Sequence, residues 1–327
     1  MTNDYTKAIS KDSDANAPAV PRRSRLRESW QLLKQNRLAV VGLVIFVLFF
    51  CTAFIGLVLT TGTNPIFDPA MVRLQEKLRP PLSRPNLEAL RPEEVPGAGV
   101  YLLGTDDLGR DLFARMLQGA WVSLTVGFVA VGISVLVGIL VGGIAGYFGQ
   151  NHTSIDTLIM RFVDIMLCFP SFFLILTVVA LLPASMYNIM IVIGLTSWMG
   201  SARFVRAEFL SLREQDFVTA ARALGVNDWR IIFRHMIPNA IAPVLVSATI
   251  GIATAILTEA GLSFLGFGVP PPHATWGNIL SDGRRFIFDA PWLTFAPGFA
   301  ILIVVLSFNL FGEGLRDILN PKLRERY

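Results

Sequence analysis

The sequence predicts an all-α, polytopic membrane protein with six transmembrane helices, and three observations lead there. The chain has 327 residues, 53% hydrophobic and 16% charged, with a mean hydropathy of +0.56. A soluble domain carries about 25% charged residues, so much of this surface must face lipid. Six uncharged stretches approach the roughly 20 residues that a helix needs to cross a hydrocarbon core about 30 Å thick. Lys and Arg gather in alternate connecting segments, as they do in chains that cross a bilayer repeatedly.

The elements follow in chain order. Residues 1–21 are polar and poor in aromatics, and are predicted disordered. Residues 22–37 place Leu26, Trp30 and Leu33 on one helical face, ringed by Arg22, Arg23, Arg25, Arg27, Lys34 and Arg37. That pattern suits an interfacial amphipathic helix on a lipid leaflet, and equally a plain basic anchor. A tail this long and polar ahead of the first apolar run predicts no cleavable signal peptide. The first span is 38–59. The connection 60–120 holds Pro65, Pro69, Pro80, Pro81, Pro85, Pro92 and Pro96, which rule out long helices and predict an irregular excursion.

The second span, 121–148, carries the ridge Gly138-x-x-x-Gly142-x-x-x-Gly146, where another helix backbone can approach closely. The third, 165–182, is short and holds Pro170 near its start. Only Leu182-Pro183-Ala184-Ser185 separates it from the fourth, 183–202, so the two predict a tight hairpin. The fifth is 236–258, the sixth 292–312, and a tail follows at 313–327. Spans 121–312 form the core. Nineteen of the 28 Lys and Arg fall in 1–37, 149–164, 203–235 and 313–327, which places both termini in the cytoplasm of the plasma (inner) membrane.

Several classes are excluded. No basic stripe on a polar domain points to nucleic acid. Cys51 and Cys168 sit apart in apolar runs and read as small buried hydrophobes, not a disulfide framework. The chain has no G-x-x-x-x-G-K-[ST], H-E-x-x-H or G-x-S-x-G motif, and His152, His235 and His273 lack metal-ligand spacing, so no catalytic or metal residue is assigned. The span centres hold no ionisable residue; Asp164 and Glu259 lie at span ends. A self-sufficient, ion-coupled transporter usually needs such groups, so energy for transport would come from another subunit. Uncharged Asn188, Ser197, Ser247 and Thr249 are candidates for a pathway whose lining the sequence leaves open.

The segment between the fourth and fifth spans is the most informative. Asp216-Phe-Val-Thr-Ala-Ala-Arg-Ala-Leu-Gly225 reads as a short helix with Phe217, Ala220, Ala221 and Leu224 on one face. Gly225 supplies a left-handed terminator, and Asn227 or Asp228 caps the helix that follows. Small side chains at Ala220 and Ala221 suit entry into a partner's cleft. An amphipathic loop resting on the membrane fits the same pattern.

This loop resembles the EAA motif of ABC importer permeases: E-A-A, three residues, Gly, nine residues, I-x-L-P. Ala220, Ala221, Gly225 and Pro238 fall at its spacing, while Thr219, His235 and Ile237 depart from it. Further segments resemble the C-type subunit of the dipeptide/oligopeptide/nickel branch. Leu103-Gly-Thr-Asp-Asp-Leu-Gly-Arg-Asp111 is similar to its LGTDxxGRD signature, and Glu259 to Gly268 to its EAALSFLGxG. Pro271 to Gly277 is similar to PPxPxWG, and Gly312 to Pro321 to GDGLRDxLDP. The likeness runs from Arg27 to Arg324.

The resemblance implies a type I-like ABC importer permease fold and a non-catalytic subunit of a heteromeric importer. Its partners would be a second homologous permease, two ATP-binding subunits, an external solute-binding protein and membrane lipid. This chain would bind no cofactor; ATP and Mg would sit on the partner subunits. The helix at 216–225 would couple to an ATPase, with Phe217, Ala220, Ala221, Arg222, Leu224 and Gly225 at the contact and Arg230 beside it. In the external motif, Gly104, Asp106, Arg110 and Asp111 would either contact a partner or pair among themselves and cap the second span, with Thr105 or Asp106 near the N-cap. The cargo implied is di- or oligopeptides, with nickel complexes, glutathione or another small solute as the alternative.

Overall fold

The computed structural model describes residues 34, 36–62, 65–149 and 153–319. The expected tail 1–21, most of the interfacial helix 22–37 and the end of the tail 313–327 therefore lie outside the described residues. Ten helices matter to the argument: α1 (Arg37–Thr60), α2 (Leu112–Phe148), α3 (Thr153–Leu167), α4 (Ser171–Leu181) and α5 (Met186–Arg213), then α6 (Asp216–Ala223), α7 (Asp228–Ile231), α8 (Ile237–Phe264), α9 (Trp276–Gly283) and α10 (Trp292–Leu319). Named strands are absent among the described residues; two isolated bridges, Ser83–Tyr101 and Thr105–Asp111, fold the connection between α1 and α2.

α1 begins where the Asn36 side chain accepts from the Ala39 amide at 3.2 Å. It lies antiparallel to α10: Asn36 meets Asp317, and the Ser307 hydroxyl donates to the Gly42 carbonyl at 2.9 Å. It also lies antiparallel to α2, with Gly56 against Leu117 and the Phe50 ring 5.2 Å from Phe128. Much of its outer face stays exposed, Leu48 and Phe54 included, as suits contact with lipid. Cys51 and Cys168 are also exposed, which corrects the expectation that both are buried.

The pairing of α2 with α5 sets the topology. A Cβ on Gly138 would stand 2.5 Å from the Ser201 Cβ, and one on Gly146 2.7 Å from the Phe209 Cβ. Gly194 meets Ala130 and Ile133 in the same way. Contacts advance together along both chains, so α2 and α5 run parallel. The chain must then return along the bundle between Phe148 and Met186, and α3 and α4 carry it back. They are bent by 82° at their break, so this crossing is a broken pair of helices rather than the single helix expected over 165–182. Pro170 has no N–H and pushes Phe169 out of the helical region, so the helix closes at Leu167 and restarts at Ser171. With the five long apolar helices, this pair makes the sixth crossing.

Four spans extend beyond their expected limits, and in α2 and α5 acidic partners far along the chain pair with the arginines that seemed to end them. α2 starts at Leu112 rather than 121, capped by Asp111, whose carboxylate accepts from the Phe113 amide at 2.9 Å. α5 runs past 202 to Arg213: Arg206 forms a bidentate pair with Asp156 at 2.5 Å, and Arg203 pairs with Asp164. α8 runs to Phe264 and buries Glu259, whose Oε1 accepts from the Ser263 hydroxyl at 2.6 Å. The sixth span likewise continues seven residues beyond 312.

The glycine ridge makes one prediction. A Cβ at Gly142 would run into the Ala202 carbonyl, a backbone atom that cannot swing aside. Gly142→Ala is expected to cost about 1–3 kcal/mol through overpacking, read as a lowered unfolding transition of the purified chain in detergent. Gly132, whose Cβ would meet nothing within 4 Å, should accept Ala without that loss.

Candidate functional site

Two constellations lie at opposite ends of the bundle. At the end where α2 begins, the motif 103–111 folds around Asp106, which is fully buried. Its Oδ1 accepts the Leu108 and Arg110 amides, each at 2.9 Å. Its Oδ2 accepts Arg110 Nε at 2.7 Å and Arg115 Nη1 at 2.6 Å. Both arginines reach on to Asp282, at 3.3 and 3.0 Å, joining this turn to α9 across more than 160 residues. Gly104 and Gly109 take φ of +83° and +72°, which a side chain resists.

The motif therefore pairs within itself and caps α2. The cap is Asp111, which corrects the expectation for Thr105 or Asp106. Thr105 instead donates to the Glu76 carbonyl at 2.5 Å and accepts from the Arg79 amide at 2.8 Å. Glu76, also fully buried, accepts Arg79 Nε and the Asn86 amide, so the proline-rich excursion is tied to the motif.

Sequence reasoning missed Arg115 and α9. Arg115 is charged within an expected loop, and its buried role depends on residues far along the chain. The signal for α9 was present: Thr275 and Asn278 form a reciprocal capping box. Trp276 then inserts beside Gly119 and donates Nε1 to the Met116 carbonyl at 3.2 Å.

Asp107 sits beside this network without a bonded arginine. Burial, followed by the Asp106 and Asp282 charges, holds its carboxyl above the usual carboxylate range, against Arg110. A folded-state pKa above the unfolded value means that the ionised form destabilises the fold at neutral pH. The penalty disappears as pH falls below the unfolded value, about 3.9. Asp107→Asn is accordingly expected to raise the unfolding temperature at pH 7, and the gain over the parent chain should shrink toward zero on acidification.

At the other end, the segment 213–236 forms a helical turn. α6 ends at Gly225, with φ of +73°, and the Val226 amide reaches back to the Ala221 carbonyl at 3.1 Å. This is the glycine terminator expected from the sequence. Asn227 caps α7, accepting from the Trp229 amide at 2.9 Å. A π turn, Ile232–Met236, precedes Pro238 and moves the helix past the donor that proline lacks.

The turn is fastened to the ends of α2 and α5. Tyr147 donates to Asp228 Oδ1 at 2.6 Å, and the Arg222 guanidinium lies 5.0 Å from the Tyr147 ring centre. Arg213, nearly buried, directs Nη1 at the carbonyls of Gly146 and Tyr147, each 3.4 Å away at the negative end of α2. No periodicity singled out Tyr147 or Arg213.

Of the face expected to dock outward, α6 turns Ala221 inward and leaves Ala220 and Leu224 exposed. Val218 and Ala221 pack into a cluster with Phe209, Ile231, Ile232 and Met236, while Phe217 is half-buried. Ala221 therefore serves the internal seam. Ala220, Arg222 and Gly225 are exposed, and Leu224 is 84% exposed. Trp229 and Phe233 stack 6.1 Å apart and stand 54% exposed each, with Arg230 and Arg234 also outward. Large apolar groups projecting from a tightly held turn are suited to burial against a protein partner.

Residues 134–325 match the family model described as the binding-protein-dependent transport system inner membrane component. The chain belongs to that family. It is thus a multi-pass membrane transport component, and its helical fold is that of an ABC importer permease. Residues 24–81 of this permease also match the N-terminal transmembrane domain of oligopeptide transport permease C. It is 44% identical over 298 residues to the dipeptide transport system permease protein DppC of Alkalihalophilus pseudofirmus, covering 91% of this chain and 90% of that one. It is 36% identical to the oligopeptide transport system permease protein OppC of Bacillus subtilis, covering 99% and 98%. Among solved structures, an inward-facing MetNI methionine ABC transporter aligns with 64% of the permease and 98% of its own chain, at 19% identity and a TM-score of 0.49.

Proposed function

We propose that this permease forms half of the translocation pathway of an ATP-driven importer for di- or oligopeptides, and that the turn at 213–236 transmits the work of a cytoplasmic ATPase. The observation that carries the reading is the fastening of an exposed apolar turn to the ends of α2 and α5 through Tyr147, Arg222, Asp228 and Arg213. The names of the DppC and OppC relatives support the cargo. In this reading the turn end faces the cytoplasm, which places both termini there.

A second permease, two ATP-binding subunits and an external solute-binding protein complete the machine; ATP and Mg belong to the ATPases. ATP binding draws the two ATPases together and carries the turns with them. The fastened ends of α2 and α5 follow as rigid levers, which favours the outward-open arrangement. Hydrolysis and product release restore the inward one. The permease performs no chemistry.

The test is purification of the complex from its native membrane in mild detergent, mass spectrometry of the retained proteins, and uptake by the reconstituted complex. A second permease, ATP-binding proteins and ATP-dependent dipeptide uptake are expected. Uptake without any ATP-binding protein would overturn the reading in favour of a self-sufficient transporter.

A further inference from the structure

The pathway lining left open by the sequence has a candidate in the middle of the bundle. α2, α5 and α8 enclose a groove of about 270 Å³. Six hydroxyls line it: Ser134, Ser197, Ser201, Ser247, Thr254 and Thr258. No ionisable side chain contributes to the wall.

Of the earlier candidates, Ser197 and Ser247 belong to this groove. Thr249 faces α10, where its hydroxyl oxygen would lie 2.4 Å or so from a Cβ on Gly312, and Asn188 is occupied by the Pro183 carbonyl at 2.9 Å.

The hydroxyls are poised for a polar solute. Ser134 and Ser201 bond each other at 3.1 Å, while Thr254 and Thr258 donate to the carbonyls one turn earlier and keep their acceptor lone pairs. Among the described residues Ser197 and Ser247 have no hydrogen-bond partner, and Ser197 and Thr254 are exposed. Gly200, on the same wall, has open space where a Cβ would stand. Exposed Ile191 and Leu195 on α5 lie outside this lining and present an apolar surface suited to lipid. At hydrocarbon depth an exposed hydroxyl without a partner is favoured only where water or a polar solute reaches it.

We infer that this groove is the solute-contacting wall of the pathway, and that its hydroxyls hydrogen-bond the backbone amides of a passing peptide. The inference rests on the importer reading above. A wall offering donors and acceptors without fixed charge suits the alternating N–H and C=O groups of a short peptide, and accepts acidic, basic and neutral side chains alike.

The assembled importer in vesicles tests it, with Cys51 and Cys168 replaced by Ala. Ser197→Cys, Thr254→Cys and, as lipid-facing control, Leu195→Cys are exposed to a charged, membrane-impermeant methanethiosulfonate. Cysteines at 197 and 254 are expected to react about tenfold or more faster than at 195, because charged reagents do not enter hydrocarbon. Saturating dialanine should slow those two alone. Gly200→Leu, which has room in the fold, should abolish dialanine uptake while the complex stays assembled and hydrolyses ATP. Equal reactivity at the three sites, or full uptake by Gly200→Leu, overturns the inference. Dialanine uptake by the unsubstituted assembly is measured alongside. Its failure counts against the importer reading, whereas equal reactivity with that uptake intact counts against the groove alone.

Discussion

Leu224→Asp should abolish ATP-driven uptake while leaving the permease inserted and folded. Leu224 is 84% exposed, so the change removes little packing among the described residues. A carboxylate there would have to be desolvated against the ATPase surface, and the apolar anchor would be gone. Central apolar anchors of an interface contribute about 2 kcal/mol or more, so affinity for the ATPase should fall by about 30-fold. The check is ATPase retention on the purified permease together with uptake in vesicles. Val218→Asp provides the contrast: Val218 is fully buried, so that substitution should unfold the turn and lower the amount of permease recovered.

Asp106→Ala should produce the largest loss of stability. Its carboxylate holds Arg110 and Arg115 together and also accepts two backbone amides. Removing it strands the guanidinium of Arg115, which is 4% exposed, with Asp282 as the remaining acceptor. Breaking a buried pair in this way costs about 3–5 kcal/mol, and Asp282 should keep the loss near the lower bound. The unfolding transition in detergent measures it. Asp106→Asn, which retains an acceptor for the amides, should fall between the parent and the Ala variant.

These two sites differ in how far they could be read from the sequence. Local chemistry was legible: Gly225 and Asn227 end and restart the turn as their residue types dictate, and apolar length located the spans. The inward turn of Ala221 beside Val218 was not, because the side facing inward is chosen by Phe209 and Met236 outside α6. The early start of α2 and the long end of α5 were hidden for a related reason. Arg115, Arg203 and Arg206 appear as breaks in hydropathy, yet Asp282, Asp164 and Asp156 neutralise them across 167, 39 and 50 residues. Charge pairing over such separations carries no local signature. Pro170 was visible, but its consequence depended on α2 and α5 running parallel, which demands a return through α3 and α4.

The central claim is that the turn docks an ATPase, and a cross-link at its tip tests it most directly. In a permease lacking Cys51 and Cys168, Leu224→Cys carries a short thiol-directed photocross-linker, and the native complex is irradiated in its membrane. The account predicts one dominant product, an ATP-binding protein joined at residue 224, with weaker cross-linking when ATP changes the state of the complex. An intact, transport-active complex in which residue 224 joins only lipid, or a protein that binds no ATP, would contradict it.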